Sequence, residues 1–144
     1  IVMEPRFFSV EEANKELPRI KNMFDEIFHL NTSIKNITKD VQELVDIWGE
    51  DVTNPRNIDN KFYIEKIDKR AKFIDDLQLS VEEISKAGCV VKDIDIGLVD
   101  FFHKKDDDIM FLCWRYGEEK IGYWHHVNVG FANRRPIEEL SAII

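Results

Sequence analysis

From Val10 onward, apolar residues recur in alternating steps of three and four: Val10, Ala13, Leu17, Ile20, Phe24, Ile27, Ile34, Val41, Val45 and Trp48. That spacing predicts an amphipathic helix. Polar Asn31 and Thr38 fill the seam places between them, while Met23, Leu30, Ile37 and Leu44 form a second stripe. The apolar face is therefore wider than the seam of a two-stranded coiled coil. Ser9-Val10-Glu11-Glu12 is a capping box that sets the helix start near Val10. Pro18 removes one backbone donor and predicts a kink. Gly49 to Asn57, with Asn54-Pro55 inside it, predicts the loop of a helical hairpin. The second helix is expected from about Ile58 to Lys86, with Phe62, Ile67, Ala71, Ile74, Leu77, Val81 and Ile84 on one face and Phe73 and Leu79 beside it. Gly88 stands where a helix end favours a left-handed residue.

After Gly88 the period becomes extended. Cys89 to Lys92 is a short β-branched run, and Leu98 to His103, Ile109 to Tyr116 and Ile121 to Asn128 read as three strands. The turns between them are expected at Lys104 to Asp108 and at Gly117 to Lys120. On that register Trp114 faces Tyr123, Leu112 faces His125 and Met110 faces Val127, with Asp100 on the same surface. Cys113 and Arg115 then lie on the other surface, and a slip of one residue would regroup them. The tail runs through Pro136 to a short helix expected at Ile137 to Ile144.

Charge narrows the partners. The 144 residues carry 28 acidic and 20 basic side chains, a net charge of -8, which argues against a broad nucleic-acid footprint. No run reaches the roughly 18 apolar residues of a membrane span, and Ile1-Val2-Met3 is too short for a secretory apolar region. Cys89 and Cys113 have no metal-ligand spacing with each other and read as reduced thiols, so the expected location is the cytoplasm.

Candidate chemistry concentrates between Leu112 and His126. His125 and His126 are adjacent, so on a strand they point to opposite faces and cannot chelate one ion together. Candidate metal ligands are therefore Asp100, Glu118, His125 and His103, a set suited to a transition metal. Cys113 beside a histidine would suit nucleophilic catalysis, yet no family-type cysteine signature surrounds it. Arg115, Arg134 and Arg135, near Gly130 and aromatic rings, could hold a phosphate or carboxylate. The Asp106-Asp107-Asp108 run lacks the spaced oxygens of a calcium loop and reads as a solvated turn.

Gly97-Leu98-Val99-Asp100-Phe101, Leu112 to Glu118, Ile121 to His125, Gly130-Phe131-Ala132 and Arg134 to Ile137 resemble the family called domain of unknown function 2203. Phe8 to Asn14 with Leu17-Pro18 resembles that family's opening. Phe102, Glu119 and Asn133 depart from its pattern. The resemblance implies a prokaryotic cytosolic protein with a helical N-terminal half and carries no activity or cofactor. Pattern and resemblance together predict one α+β domain over 1–144. A long antiparallel helical hairpin (9–87) is followed by a small, mainly antiparallel three-stranded β-sheet in a β-rich module with a C-terminal tail (89–144). Helices of such length outrun what the remaining residues can cover, which predicts a homo-oligomer, a dimer or larger, joined through the helices. The function expected is interaction or assembly. The alternative is small-ligand, anion or metal binding around Asp100, Arg115, Glu118, His125, Arg134 and Arg135, with enzymatic activity left open.

Overall fold

A computed structural model describes residues 6–142, and the side chains of residues 6–140. The fold is α+β. Helix α1 spans Val10–Trp48, α2 spans Asn60–Lys86, and five strands follow: β1 Val90–Asp93, β2 Leu98–Lys105, β3 Asp108–Arg115, β4 Tyr123–His126 and β5 Arg135–Pro136. A short α3, Glu138–Ala142, closes the described chain, so Ile143 and Ile144 of the expected terminal helix lie outside the described residues. The sheet is antiparallel with strands in chain order, and it has five strands where the sequence predicts three. The additions are the β-branched run before Asp93 and the two-residue edge at Arg135–Pro136, both too short to carry an alternation signal.

The chain forms two compact units. One comprises the chain up to Asp25 and from Val81 on; the other is Glu26–Ser80. The capping box forms as read, the Ser9 hydroxyl accepting from the Glu12 amide at 3.0 Å and the Glu12 carboxylate accepting from the Ser9 amide at 3.1 Å. Ser9→Ala is expected to cost ~1 kcal/mol of stability in urea titration. Helix α1 continues through Pro18, and α2 begins at Asn60, two residues beyond the expected Ile58. Gly88 takes φ +98°, and a Cβ there would sit 2.8 Å from that of Arg6, so two constraints require glycine.

In the first unit, one sheet face packs on helix. Phe8, Ala13, Leu17, Ile20 and Phe24 are buried, Phe8 meets Phe101 edge-on at 5.1 Å between ring centres, and Phe24 meets Trp114 at 6.2 Å. The Phe8 amide donates to the Phe102 carbonyl at 2.7 Å, and the Asn14 side chain accepts from the Ile121 amide at 2.7 Å. In the second unit, α1 and α2 run antiparallel. Arg70 donates to Thr38 at 2.7 Å, Lys66 pairs with Asp40 at 2.9 Å, and the Trp48 indole donates to Asp59 at 2.8 Å.

Along α1 the line of burial drifts. It follows Ala13, Leu17, Ile20, Phe24, Ile27 and Ile34, then passes to Leu30, Ile37 and Leu44, leaving Val45 and Trp48 exposed. A straight helix of 3.6 residues per turn walks about 20° per heptad away from a strict seven-residue repeat, so the second stripe takes over from the first.

Candidate functional site

Both sheet registers differ by one residue from the expected ones. Lys105 pairs with Asp108, so the β2–β3 turn has two residues, Asp106 and Asp107, rather than five. Asp106 adopts φ 55°, the left-handed conformation that tight hairpins require and aspartate tolerates. Asp100 therefore pairs with Cys113 instead of Leu112. At the other side of β3, Cys113 pairs with Tyr123 and Phe111 with His125, not Trp114 with Tyr123 or Leu112 with His125. The cause is local: the Glu118 carboxylate accepts from the Arg115 amide at 2.7 Å and its carbonyl from the Trp114 indole at 2.8 Å, replacing the four-residue turn with a longer loop.

The two slips run in opposite directions. Strand alternation makes each one exchange faces, and the two exchanges cancel for Asp100 and His125. Those residues share a face as expected, now joined by Cys113, which the sequence placed opposite. Trp114, Leu112 and Met110 move to the other face with Trp124.

Asp100 and His125 are each 2 % exposed, and His125 Nε2 lies 3.0 and 3.1 Å from the two Asp100 carboxylate oxygens. His125 Nδ1 lies 2.8 Å from the His126 carbonyl, and its ring packs on Phe111 at 5.4 Å. Burial disfavours the imidazolium, but the Asp100 hydrogen bond, the His126 carbonyl and the Asp100 charge outweigh it and raise His125 above its ordinary value; Lys92 opposes them. Cys113 is fully buried, and burial first, then the neighbouring Asp100 charge, push its thiol up to about 12, while Arg134 pulls the other way. A thiol held that firmly protonated is a poor nucleophile at neutral pH, so the Cys–His catalytic candidate loses its activated form.

The other candidates are placed elsewhere. His103 lies on the opposite face, its Nδ1 2.7 Å from the Phe8 carbonyl. Glu118 is taken by Arg134, whose Nη1 lies 3.0 Å from both its oxygens, and the guanidinium stacks over Tyr123 at 4.0 Å and Phe131 at 4.2 Å. That arginine is an internal tie rather than a free anion clamp. Arg135 is exposed and pairs with Glu139 at 3.5 Å, and Arg115 is exposed beside Phe131 at 5.7 Å. The six residues expected around one ligand thus divide into a buried Asp100–His125 pair, a Glu118–Arg134 tie and two surface arginines.

A cleft of about 340 Å³ opens between α1 and the β3–β4 loop, lined by Asn14, Leu17, Pro18, Lys21, Trp114 and Glu118 among others. Asp100, Cys113 and His125 are not among its walls. The cleft and the Asp100–His125 pair are therefore separate features of the sheet unit. Among the described residues no helix is long and apolar enough to cross a membrane. A family model described as an uncharacterized conserved protein (DUF2203) matches residues 6–137. No curated protein and no solved structure matches the chain.

Proposed function

Because the chain belongs to the uncharacterized conserved protein family DUF2203, whose description names no activity, we propose its function from its surfaces: it is an assembly protein that pairs with a second copy through the helical unit Glu26–Ser80. One observation carries this reading. Within that unit α2 contributes no buried side chain, although Phe62, Ile64, Ile67, Phe73, Ile74, Leu77 and Leu79 are all apolar. Phe62 is 50 % exposed and Leu79 60 %, while Ile47 and Ile58 of the same unit are 70 % and 86 % exposed. Apolar surface gathered this way on one unit marks a contact surface, whereas scattered single residues would not.

Charge supports a second copy as the occupant. Lys61, Lys69, Arg70 and Lys72 crowd the earlier part of α2, relieved by Glu65 and Asp68, while Asp75, Asp76 and Glu82 follow; Lys66 is already paired with Asp40, and Glu83 with Lys86. A two-fold antiparallel pairing of α2 with its own copy sets these opposite signs against each other, as an isologous interface requires. Light scattering coupled to size exclusion is expected to give twice the chain mass at micromolar concentration. The double variant Phe62→Glu/Leu79→Glu is expected to give the monomer with helicity retained. A monomeric wild type at ~100 µM, far above the dissociation constants of stable dimers, would overturn the reading.

A further inference from the structure

Among the described residues, one group of three potential metal ligands gathers: Asp100 of β2, Cys113 of β3 and His125 of β4. All three are buried, and their carboxylate, thiol and imidazole atoms lie within 4.8 Å of one another. The imidazole is oriented by its neighbour. A carbonyl oxygen can only accept, so at 2.8 Å from the His126 carbonyl, Nδ1 carries the ring proton. Nε2 of the neutral ring is then a bare lone pair aimed at both Asp100 oxygens, 3.0 and 3.1 Å away. Acceptor faces acceptor, and a positive charge must sit between them.

A proton on Nε2 makes a buried ion pair, beside which the Cys113 thiol hydrogen-bonds to Asp100. A metal ion would instead take all three groups as direct ligands. We propose that Asp100, Cys113 and His125 bind a divalent transition metal of zinc-like softness, through one carboxylate oxygen, Sγ and Nε2. The charges balance: the ion's two positive charges meet one carboxylate and one thiolate. Binding releases two protons to solvent, one from His125 Nε2 and one from Cys113 Sγ, so the buried cluster is neutral before and after.

Geometry and second contacts agree with this assignment. Metal–nitrogen and metal–oxygen bonds of about 2.0 Å at a tetrahedral angle place nitrogen and oxygen roughly 3.3 Å apart, close to the separation already present. Metal-binding histidines usually donate their other ring N–H to a carbonyl or carboxylate, which is the role of His126 here. Thiol and imidazole donors disfavour calcium and magnesium. Of the two nearby cations, Arg134 is neutralised by Glu118, and Lys92 lies over the Phe111 ring at 4.8 Å.

Cobalt(II) titration of the reduced, chelator-treated full chain tests the site. One cobalt per chain is expected, with thiolate-to-cobalt charge transfer in the near ultraviolet and tetrahedral bands in the visible. Cys113→Ser is expected to lose the charge-transfer band and to bind more than about 100-fold more weakly, beyond the usual loss for a second-shell partner. Cys89→Ser, whose thiol lies at 3.3 Å from the Ile84 carbonyl, is expected to keep both properties. A wild type with no such band, a band surviving in Cys113→Ser, or one lost in Cys89→Ser overturns the proposal. If circular dichroism shows Cys113→Ser unfolded, cobalt-edge X-ray absorption of the wild type decides. One sulfur at about 2.3 Å supports the site, and a shell of nitrogen and oxygen alone overturns it.

Discussion

His125→Ala is expected to destabilise the metal-free protein by about 3–5 kcal/mol in urea titration, because it strands the Asp100 carboxylate in a dry interior. Against a typical domain stability of about 5–15 kcal/mol, that loss brings the variant near unfolding. The cost lies in the uncompensated charge more than in any net worth of the pair. Asp100→Leu/His125→Phe, which removes both charges while keeping bulk beside Phe111, is therefore expected to recover most of it. If the double variant is as unstable as the single one, the penalty comes from lost shape and not from charge.

The same pair gives a pH signature with a definite sign. His125 is raised above 6.5 in the folded chain, so it binds its proton more tightly folded than unfolded. Its contribution is fully present below pH 6.5 and is lost as pH rises through the folded value. The groups acting on it are Asp100, which holds the charge, and Lys92, which opposes it. Cys89 and Cys113, raised to about 11 and about 12, add a further loss only above pH 9, where their thiols ionise in the unfolded chain. The metal-free Asp100→Leu/His125→Phe double variant, which leaves neither group to titrate, is expected to lack the slope that begins above pH 6.5, and denaturation midpoints from there to pH 9 measure it.

Trp114→Ala is the second large expected effect, about 3–5 kcal/mol. The ring is 1 % exposed and packs between Phe24 and Tyr116, each 6.2 Å between centres. Its indole nitrogen also holds the Glu118 carbonyl, so truncation opens a cavity and releases the loop that sets the β3–β4 register. Trp114→Phe keeps most of the body and loses one hydrogen bond, an expected cost of ~1 kcal/mol. Thermal denaturation followed by circular dichroism separates the two variants.

The helices were legible because their signals are local. Ser9 and Glu12 cap each other within one turn, Asn54-Pro55 falls in the break between helices, and Gly88 has the positive φ its position implied. The sheet was less legible because register is decided by loops, and the loops are decided by contacts that spacing does not encode. Nothing in Gly117-Glu118-Glu119-Lys120 announces that the Glu118 carboxylate will take the Arg115 amide and then Arg134. The two-residue turn at Asp106-Asp107 was the readable clue, since aspartate tolerates positive φ; reading it would have placed Cys113 beside Asp100. The shared face of Asp100 and His125 was anticipated on a register that proved wrong on both sides of β3, its parity preserved by compensation; their direct contact was not.

The placement of the three tryptophans has an optical consequence. Trp48 belongs to the Glu26–Ser80 unit, is 37 % exposed and hydrogen-bonds to a carboxylate. Trp114 and Trp124 belong to the sheet unit and are sealed from water; the first donates to a carbonyl, and the second finds no acceptor among the described residues. Indole emission shifts to the red in a polar, mobile setting, so the long-wavelength, quencher-accessible part of the fluorescence belongs to the helical unit and the short-wavelength, shielded part to the sheet. The chain carries its own two-colour label, able to distinguish loss of the hairpin from loss of the sheet without any added dye.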